Sequence, residues 1–433
     1  MENISKIKAG FAETDITPPI GVEKVGWMKK IISDRILDQL GAHAVAFECD
    51  KQIIAFLQLD ILSIPARLVA EIRKRTQKNC GLPPDRLMVS ASHNHAGPAV
   101  SAAPVGDAVP DPAYVEKFLQ QCVSACRQAF EKLQPATIGF ARGSEARIAW
   151  NRRTIMRDGT VKTHGLLSDP LALCPEGPID PELAVLAARD AQGKYLGCLV
   201  NFTCHPTDHG GDTAISAGYP GVMARRLKTR GMPAALFLNG ACGNISTYNT
   251  FNPDLTPSME TVGQTLADDV SLLFPEMKWR QKLHLAAASA TVPLPFRTIT
   301  EDEIKGTTHG AYRAVDSSIY DRHMPALCAK IKSKGVDPAE VQVFFMDELA
   351  WVGIPAEYFV QHGLRIKEQC WPAHALIVGH ANGMVGYVPH KEAFAHGGYE
   401  TTFGGGSRLA PETGDLLADA AIKLVKSHLP EMP

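Results

Sequence analysis

The chain has 433 residues, 45% of them apolar and 21% charged, enough apolar sequence for the core of one large domain or two ordinary ones. Lys and Arg number 44 against 46 Asp and Glu, and no basic run exceeds Arg73-Lys74-Arg75, so the electrostatic footprint of a nucleic-acid binder is missing. No segment reaches the ~18 apolar residues of a membrane span, and the N-terminus shows no apolar stretch followed by a small-residue cleavage site, so a cytoplasmic protein is expected.

In chain order, a first strand must end before Pro18 and Pro19, since proline cannot donate to a ladder. Two strands over residues 42–48 and 53–59 follow, joined by a turn at Cys49 to Gln52. Pro65 opens a helix with Leu68, Val69 and Ile72 on its apolar face, and Gly81 closes it. Leu87, Met88 and Val89 then read as a buried strand that runs into His93 and His95 and is stopped by Ala96-Gly97-Pro98. In extended backbone, residues i and i+2 share a side, so this spacing predicts two imidazoles facing one cavity. Two polar residues in a solvated loop are the alternative. Asp111 and Pro112 cap a helix whose apolar residues run from Val115 to Leu133 at helical spacing.

Strands are predicted next over 137–141 and 147–150, with a hairpin turning at Asp158-Gly159. A second hairpin, over 183–188 and 195–202, runs into Thr203-Cys204-His205-Pro206. A helix from Tyr219 to Leu227, a buried strand over 234–238 and a helix carrying Val262, Leu266, Val270 and Leu273 follow. Residues 297–337 are more polar and read as a helical surface excursion. A hairpin over 341–346 and 349–354 then delivers Glu357, followed by a helix to Gln369, a strand over 375–378, a glycine-rich stretch over 383–406 and a closing helix around Leu416 and Leu424. No fixed-period repeat is visible. The ten cysteines sit singly, Cys122 and Cys126 one helical turn apart, which suits reduced thiols rather than disulfides or a cysteine zinc site. The fold class expected is α/β, a single domain spanning residues 1–433 with a mixed, partly antiparallel sheet flanked by helices.

Three strand ends carry metal- or proton-handling groups: His93 with His95, His205, and Glu357. Two imidazoles and a carboxylate make a familiar zinc shell with one position open, although other divalent transition metals suit the same donors. For His205 the alternative is packing under its turn, and for Glu357 the acidic first turn of a helix. His209, His362, His390 and His396 are read as bystanders.

These segments resemble the neutral and alkaline ceramidases in their N-terminal catalytic domain. The resemblance is carried by Gly10-Phe-Ala-Glu-Thr-Asp-Ile-Thr-Pro-Pro19, Ser92-His-Asn-His-Ala-Gly-Pro98, Asn151-Arg152, His205-Pro-Thr207, Gly240-Ala-Cys-Gly-Asn-Ile-Ser246, Pro355-Ala-Glu357, Gly386-Tyr-Val-Pro389 and Gly398-Tyr-Glu400, in that family's order. It implies one zinc ion held by His93, His205, Glu357 and Tyr387. It also implies that His95, Arg152 and Tyr399 line the substrate's amide, while Ser246 matches a serine once proposed as nucleophile. Zinc would polarise the amide carbonyl and activate water. His95 would pass a proton to the leaving amine, and Arg152 or Tyr399 would stabilise the oxyanion. Departures include His-Asn-His-Ala for the family's His-Thr-His-Ser, Gly218 where an acidic residue is usual, and no appended C-terminal β-sandwich.

A zinc-dependent amide hydrolase acting on a substrate smaller and more polar than ceramide is therefore expected. A zinc isomerase or lyase working on a hydroxy or sugar acid is the second reading, and a metal-stabilised binding protein the third. The Arg152-Arg153 pair suggests an anionic ligand; the alternative is that Arg153 points to solvent, which strand alternation favours if Arg152 points inward.

Overall fold

Apolar alternation and the prolines place the strands largely where the sequence reading puts them. The structure, a computed structural model, describes residues 7–27, 29–102, 108–314 and 317–428; the first six residues, on which the leader expectation partly rests, lie outside these. The first sheet is built from β1 (Lys8–Asp15), β2 (Gly41–Cys49) and β3 (Gln52–Leu59), which pair antiparallel in turn. Helix α1 (Ala66–Cys80) then carries the chain over to β4 (Leu87–Ala91), parallel to β3, and α2 (Pro112–Glu131) follows. Asp111 accepts a hydrogen bond from the Ala113 N–H and so caps α2, while Gly81 ends α1 in the left-handed conformation that glycine adopts without strain.

That arrangement occurs three times. In the second unit β5 (Thr137–Ser144), β6 (Glu182–Arg189) and β7 (Tyr195–Phe202) pair antiparallel. Helix α3 (Gly218–Thr229) leads to the parallel strand β8 (Ala235–Asn239), and α4 (Met259–Leu273) follows. The third has β9 (Leu285–Pro295), an inserted helix α5 (Ser317–Lys334), β10 (Val336–Met346) and β11 (Leu349–Gly353). Helix α6 (Val360–Gln369), the parallel strand β12 (His374–Val378) and α7 (Thr413–Lys426) complete it. Strand order within each sheet is the same, β4-β3-β2-β1, β8-β7-β6-β5 and β12-β11-β10-β9. The fold is thus mixed α/β as expected, built as three like units. The excursion read over 297–337 is α5 with the short helix Glu301–Lys305, residues 315–316 lying outside the described residues.

The inner faces of the three sheets share one core. Phe56 of the first sheet packs edge-on against Phe344 and Trp351 of the third, with ring centroids 5.2 and 5.6 Å apart, and Leu186, Leu199 and Leu236 of the second join them. Each outer face is covered by its own two helices. Non-directional burial holds such a core together, at about 25 cal/mol per Å² of apolar surface.

The fourth strands of the units meet at their C-terminal ends. The Ala91 N–H donates to the His380 carbonyl at 3.2 Å, the Gly379 N–H to the Asn239 carbonyl at 2.8 Å, and Asn239 Nδ2 to the Ser92 carbonyl at 3.0 Å. This closed ring of bonds fixes the loops that leave β4, β8 and β12. Strand pairing stops there, so backbone groups must find partners among loops, and side chains leaving the ring converge.

Candidate active site

His93 leaves β4 two residues beyond its end, in the left-handed region with φ 68°. The two histidines therefore reach one cavity through a turn and not through the strand alternation that the spacing suggested. The extended backbone ends at Ala91 because Ser92 and Asn94 are drawn into loop bonds: the Ser92 N–H to the Leu59 carbonyl, and Asn94 Nδ2 to the carbonyls of Asp60 and Ser216. The rings of His93 and His95 end 4.9 Å apart, edge to face.

His205 comes from the loop after β7, and Glu357 from the two-residue strand Glu357–Tyr358 after β11. Each follows the third strand of its unit, so two of the donors occupy like places in the fold. His93 Nε2 and His205 Nε2 are 2.9 Å apart, and Glu357 Oε2 lies 3.3 Å from each. His93 Nδ1 donates to the Leu62 carbonyl at 2.9 Å and His205 Nδ1 to the Cys242 carbonyl at 2.6 Å. A carbonyl only accepts, so Nδ1 carries the proton and Nε2 keeps its electron pair. Three electron-pair donors thus face one another, a repulsive arrangement unless a cation sits among them. Donors around a tetrahedral ion with ~2.1 Å bonds stand ~3.4 Å apart, close to the spacing found. His95 belongs to the same group: the ligand atoms of His93, His95 and His205 all lie within 4.8 Å of one another. These residues fit a metal ion.

His95 Nδ1 donates to the Gly26 carbonyl at 2.7 Å, and its buried Nε2 has no partner among the described residues. Gly26 is needed there, because a Cβ would stand 2.8 Å from His95 Nδ1 and φ is 110°. Burial, helped by His93 and His205, holds His95 well below the usual histidine range. Burial, then the Arg152 charge and His93, push His205 down to about 3.

Tyr387 stands opposite Glu357 in a parallel two-residue pairing, and Arg152 Nη2 donates to its phenol oxygen at 3.2 Å. Its ring lies 5.6 Å from that of Tyr399, and burial followed by Glu357 raises the phenol well above the usual range. Arg152 is carried by the Trp150–Asn151 strand, which runs along Ile245–Ser246. It also donates to the Gly243 carbonyl and, through Nε, to Glu400 Oε1, each at 2.8 Å. A Cβ on Gly243 would stand 2.5 Å from the Glu357 carbonyl, so glycine permits that approach.

The solvent-facing alternative for Arg153 is not met: it is 0% exposed, bonded to Glu400 Oε2 at 2.7 Å, to Glu176 and to the Gly397 carbonyl. Its segment is the central strand of a three-stranded sheet in which Arg153, Thr154 and Met156 are all buried, so alternation does not send Arg153 to solvent. Both arginines are engaged by Glu400, so the pair is no free anion fork. Ser246 is buried, and its Oγ accepts from the Tyr248 N–H at 3.3 Å; among the described residues no histidine or carboxylate hydrogen-bonds to it.

Two residues that the sequence reading passed over back the site. His380, left-handed at φ 54°, stacks on His93 with centroids 4.0 Å apart and meets Cys242 Sγ at 3.3 Å. Glu400 anchors both arginines. Only its position beside Tyr399 in a quoted motif drew notice to Glu400, and no local pattern marks His380. Of the bystanders, His362 stacks on Tyr358 and His396 meets Glu176 at 3.0 Å, away from the cluster. All ten cysteines are free thiols, Cys174 being exposed.

A cavity of about 140 Å³ opens onto this group, with His93, His95, Glu357, Tyr387 and Tyr399 in its wall and Trp27 and Lys24 beside them. Lys24 is buried, its Nζ donating to the carbonyls of His209 and Asp212 at 2.7 and 2.6 Å. Among the described residues no helix is long and apolar enough to cross a membrane.

The chain is similar to the solved structure of neutral ceramidase from Pseudomonas aeruginosa, with a TM-score of 0.75 and 19% identity over 99% of this chain and 76% of that one. A ceramidase structure complexed with C2 gives a TM-score of 0.74 at the same identity and coverage. No protein-family model and no curated protein matches the sequence. The fold is that of a neutral ceramidase, in agreement with the resemblance found in the sequence motifs.

Proposed function

We propose that this protein is a zinc-dependent hydrolase that cleaves an amide, N-acyl bond in a substrate smaller and more polar than ceramide. The observation that carries the reading is the convergence of His93 Nε2, His205 Nε2 and Glu357 Oε2 at 2.9 to 3.3 Å, with both Nδ1 atoms tied to carbonyls. His93, His205, Glu357 and Tyr387 would hold the ion, which when bound supplies a Lewis acid for the amide carbonyl and activates water at neutral pH. His95, with Nδ1 engaged by Gly26 and Nε2 open, takes a proton at Nε2 and returns it to the leaving amine. Tyr399 donates from the cavity wall to the oxygen that gains charge, and Arg152 adds positive charge while holding the Tyr387 oxygen. Ser246, without a base, supports the loop and is not the nucleophile.

The wall of the site cavity supports the more polar substrate: Glu23, Lys29, Lys30, Ser63 and Ser101 line it beside the cluster. The test is metal analysis together with turnover of N-acetylated amino acids and sugars, set against long-chain ceramide in detergent. Bound zinc and higher kcat/KM on the soluble amides are expected. Cleavage of long-chain ceramide alone overturns the substrate assignment, and turnover of hydroxy or uronic acids with no amide cleaved replaces hydrolysis by isomerisation or elimination.

A further inference from the structure

Ser63, Ser101 and Ala102 line the site cavity and also a second cavity of about 390 Å³, so the two adjoin. One side of the second cavity is the inserted helix α5, which contributes Tyr320, Met324 and Leu327. Lys330 and Arg408 bring positive charge to the same cavity. Arg408 is 7% exposed; its Nη1 donates to the Gly405 carbonyl and its Nη2 to Asp337 Oδ2, each at 2.7 Å. Its Nε is buried with no partner among the described residues. Asp337 also receives Lys334 Nζ at 3.1 Å, so one carboxylate is divided between two cations, and Lys330 has no ion pair among the described residues. Desolvation and the nearby Arg408 charge lower the Lys330 ammonium from its ordinary value, with Asp337 acting against them. A buried donor without a partner is costly, and a guanidinium matches a carboxylate or phosphate oxygen best.

We infer that the cavity beside α5 is a subsite for an anionic group, a carboxylate or a phosphate, at the end of the substrate remote from the cleaved bond; this rests on the amide-hydrolase reading of the adjoining site. Lys330 and the unpartnered Arg408 Nε–H receive the anion, and Met324, Leu327 and Tyr320 contact the aliphatic portion that leads to it. Residues 317–334 then serve as a specificity element on a fold that is otherwise built of three like units.

The experiment compares dicarboxylates from succinate to suberate with monocarboxylates of equal length, by titration calorimetry on the metal-loaded protein. Each pair differs only in the far-end charge. One dicarboxylate is expected to bind about tenfold more tightly than its monocarboxylate, and Lys330→Gln is expected to remove most of that difference. Replacing the far carboxylate by a phosphate ester identifies which anion is preferred. In parallel, anilides of the same acids give the ratio of kcat/KM for acid-ended over methyl-ended substrates, expected to fall about tenfold in Lys330→Gln through KM. Equal binding within every pair, or a difference that Lys330→Gln leaves intact, overturns the subsite. Charge-selective binding with no amide cleaved overturns the hydrolase reading and leaves the subsite standing. Selectivity lost instead in Lys29→Gln/Lys30→Gln, at lysines of the site cavity, also overturns the assignment to α5.

Discussion

Glu357 and Tyr387 stand side by side in a parallel pairing of two residues on each strand, so that a carboxylate and a phenol from segments thirty residues apart reach the same cavity. Arg152 holds the phenol oxygen from behind at 3.2 Å. If Tyr387 completes the metal shell, Tyr387→Phe is expected to weaken metal binding by about ten- to a hundredfold in a chelator competition, with the folded state retained. Unchanged affinity would remove Tyr387 from the shell and leave His95, which shares the histidine cluster, as the fourth donor.

Ser246 hydrogen-bonds to a backbone N–H and, among the described residues, to no base, whereas His205 sits at the centre of the cluster. Ser246→Ala is expected to keep turnover within about tenfold of wild type, while His205→Ala loses both activity and bound metal. Mass spectrometry of the protein trapped during turnover checks the point directly. A covalent adduct on Ser246 would reverse the assignment.

Glu400 is fully buried between Arg152 and Arg153. Burial by itself acts upward on its carboxyl, but the two guanidinium charges prevail and hold it down at about 2. Its folded-state value is depressed from 4.5, so its contribution is complete above that pH and is lost as pH falls toward 2. That contribution is on the order of 3 kcal/mol. Glu400→Gln is expected to destabilise the protein at pH 7 by about 3–5 kcal/mol, since two buried cations lose a shared partner, and to flatten the acid limb of stability. Urea midpoints measured from neutral to acid pH test both effects. Arg153→Ala is expected to unfold the protein as readily as Arg152→Ala, because both are buried.

His43 bridges Glu13 at 3.2 Å and Asp60 at 3.1 Å between neighbouring strands of the first sheet. Burial acts downward on its ring, but Asp60 and Glu13 overcome this and raise it to about 10. The folded value lies above 6.5, so this stabilisation is fully present below that pH and is lost as pH rises through about 10. His43→Gln is expected to be less stable than wild type at pH 6 and to show a smaller fall in urea midpoint on the alkaline side. Parallel alkaline curves for the two proteins would refute the coupling.

Local patterns reported the elements well. The Asp111-Pro112 cap begins α2, the apolar runs at 53–59 and 87–89 are strands, and the Asp158-Gly159 turn joins Arg153–Met156 to Val161–Thr163. The predicted strand over 147–150 is reduced to Trp150–Asn151, because its partner Ile245–Ser246 is equally short and pairing depends on a distant segment. The threefold unit was invisible in sequence. Sheet order and crossover are preserved when alternating apolar residues are exchanged and loops change length, as the α5 insertion shows, so no period survives.

By itself, the sequence determined which residue types end the strands, and hence that His93, His95, His205 and Glu357 were candidates, because strand breaking and polar chemistry are both local properties. Only the tertiary structure decided that His93 turns through a left-handed residue, that His380 stacks behind it, and that Glu400 engages both Arg152 and Arg153. Those facts follow from where three sheets close on a common core. A side chain's direction at that junction is set by partners more than two hundred residues away in some cases, and no local rule of periodicity or capping reaches so far.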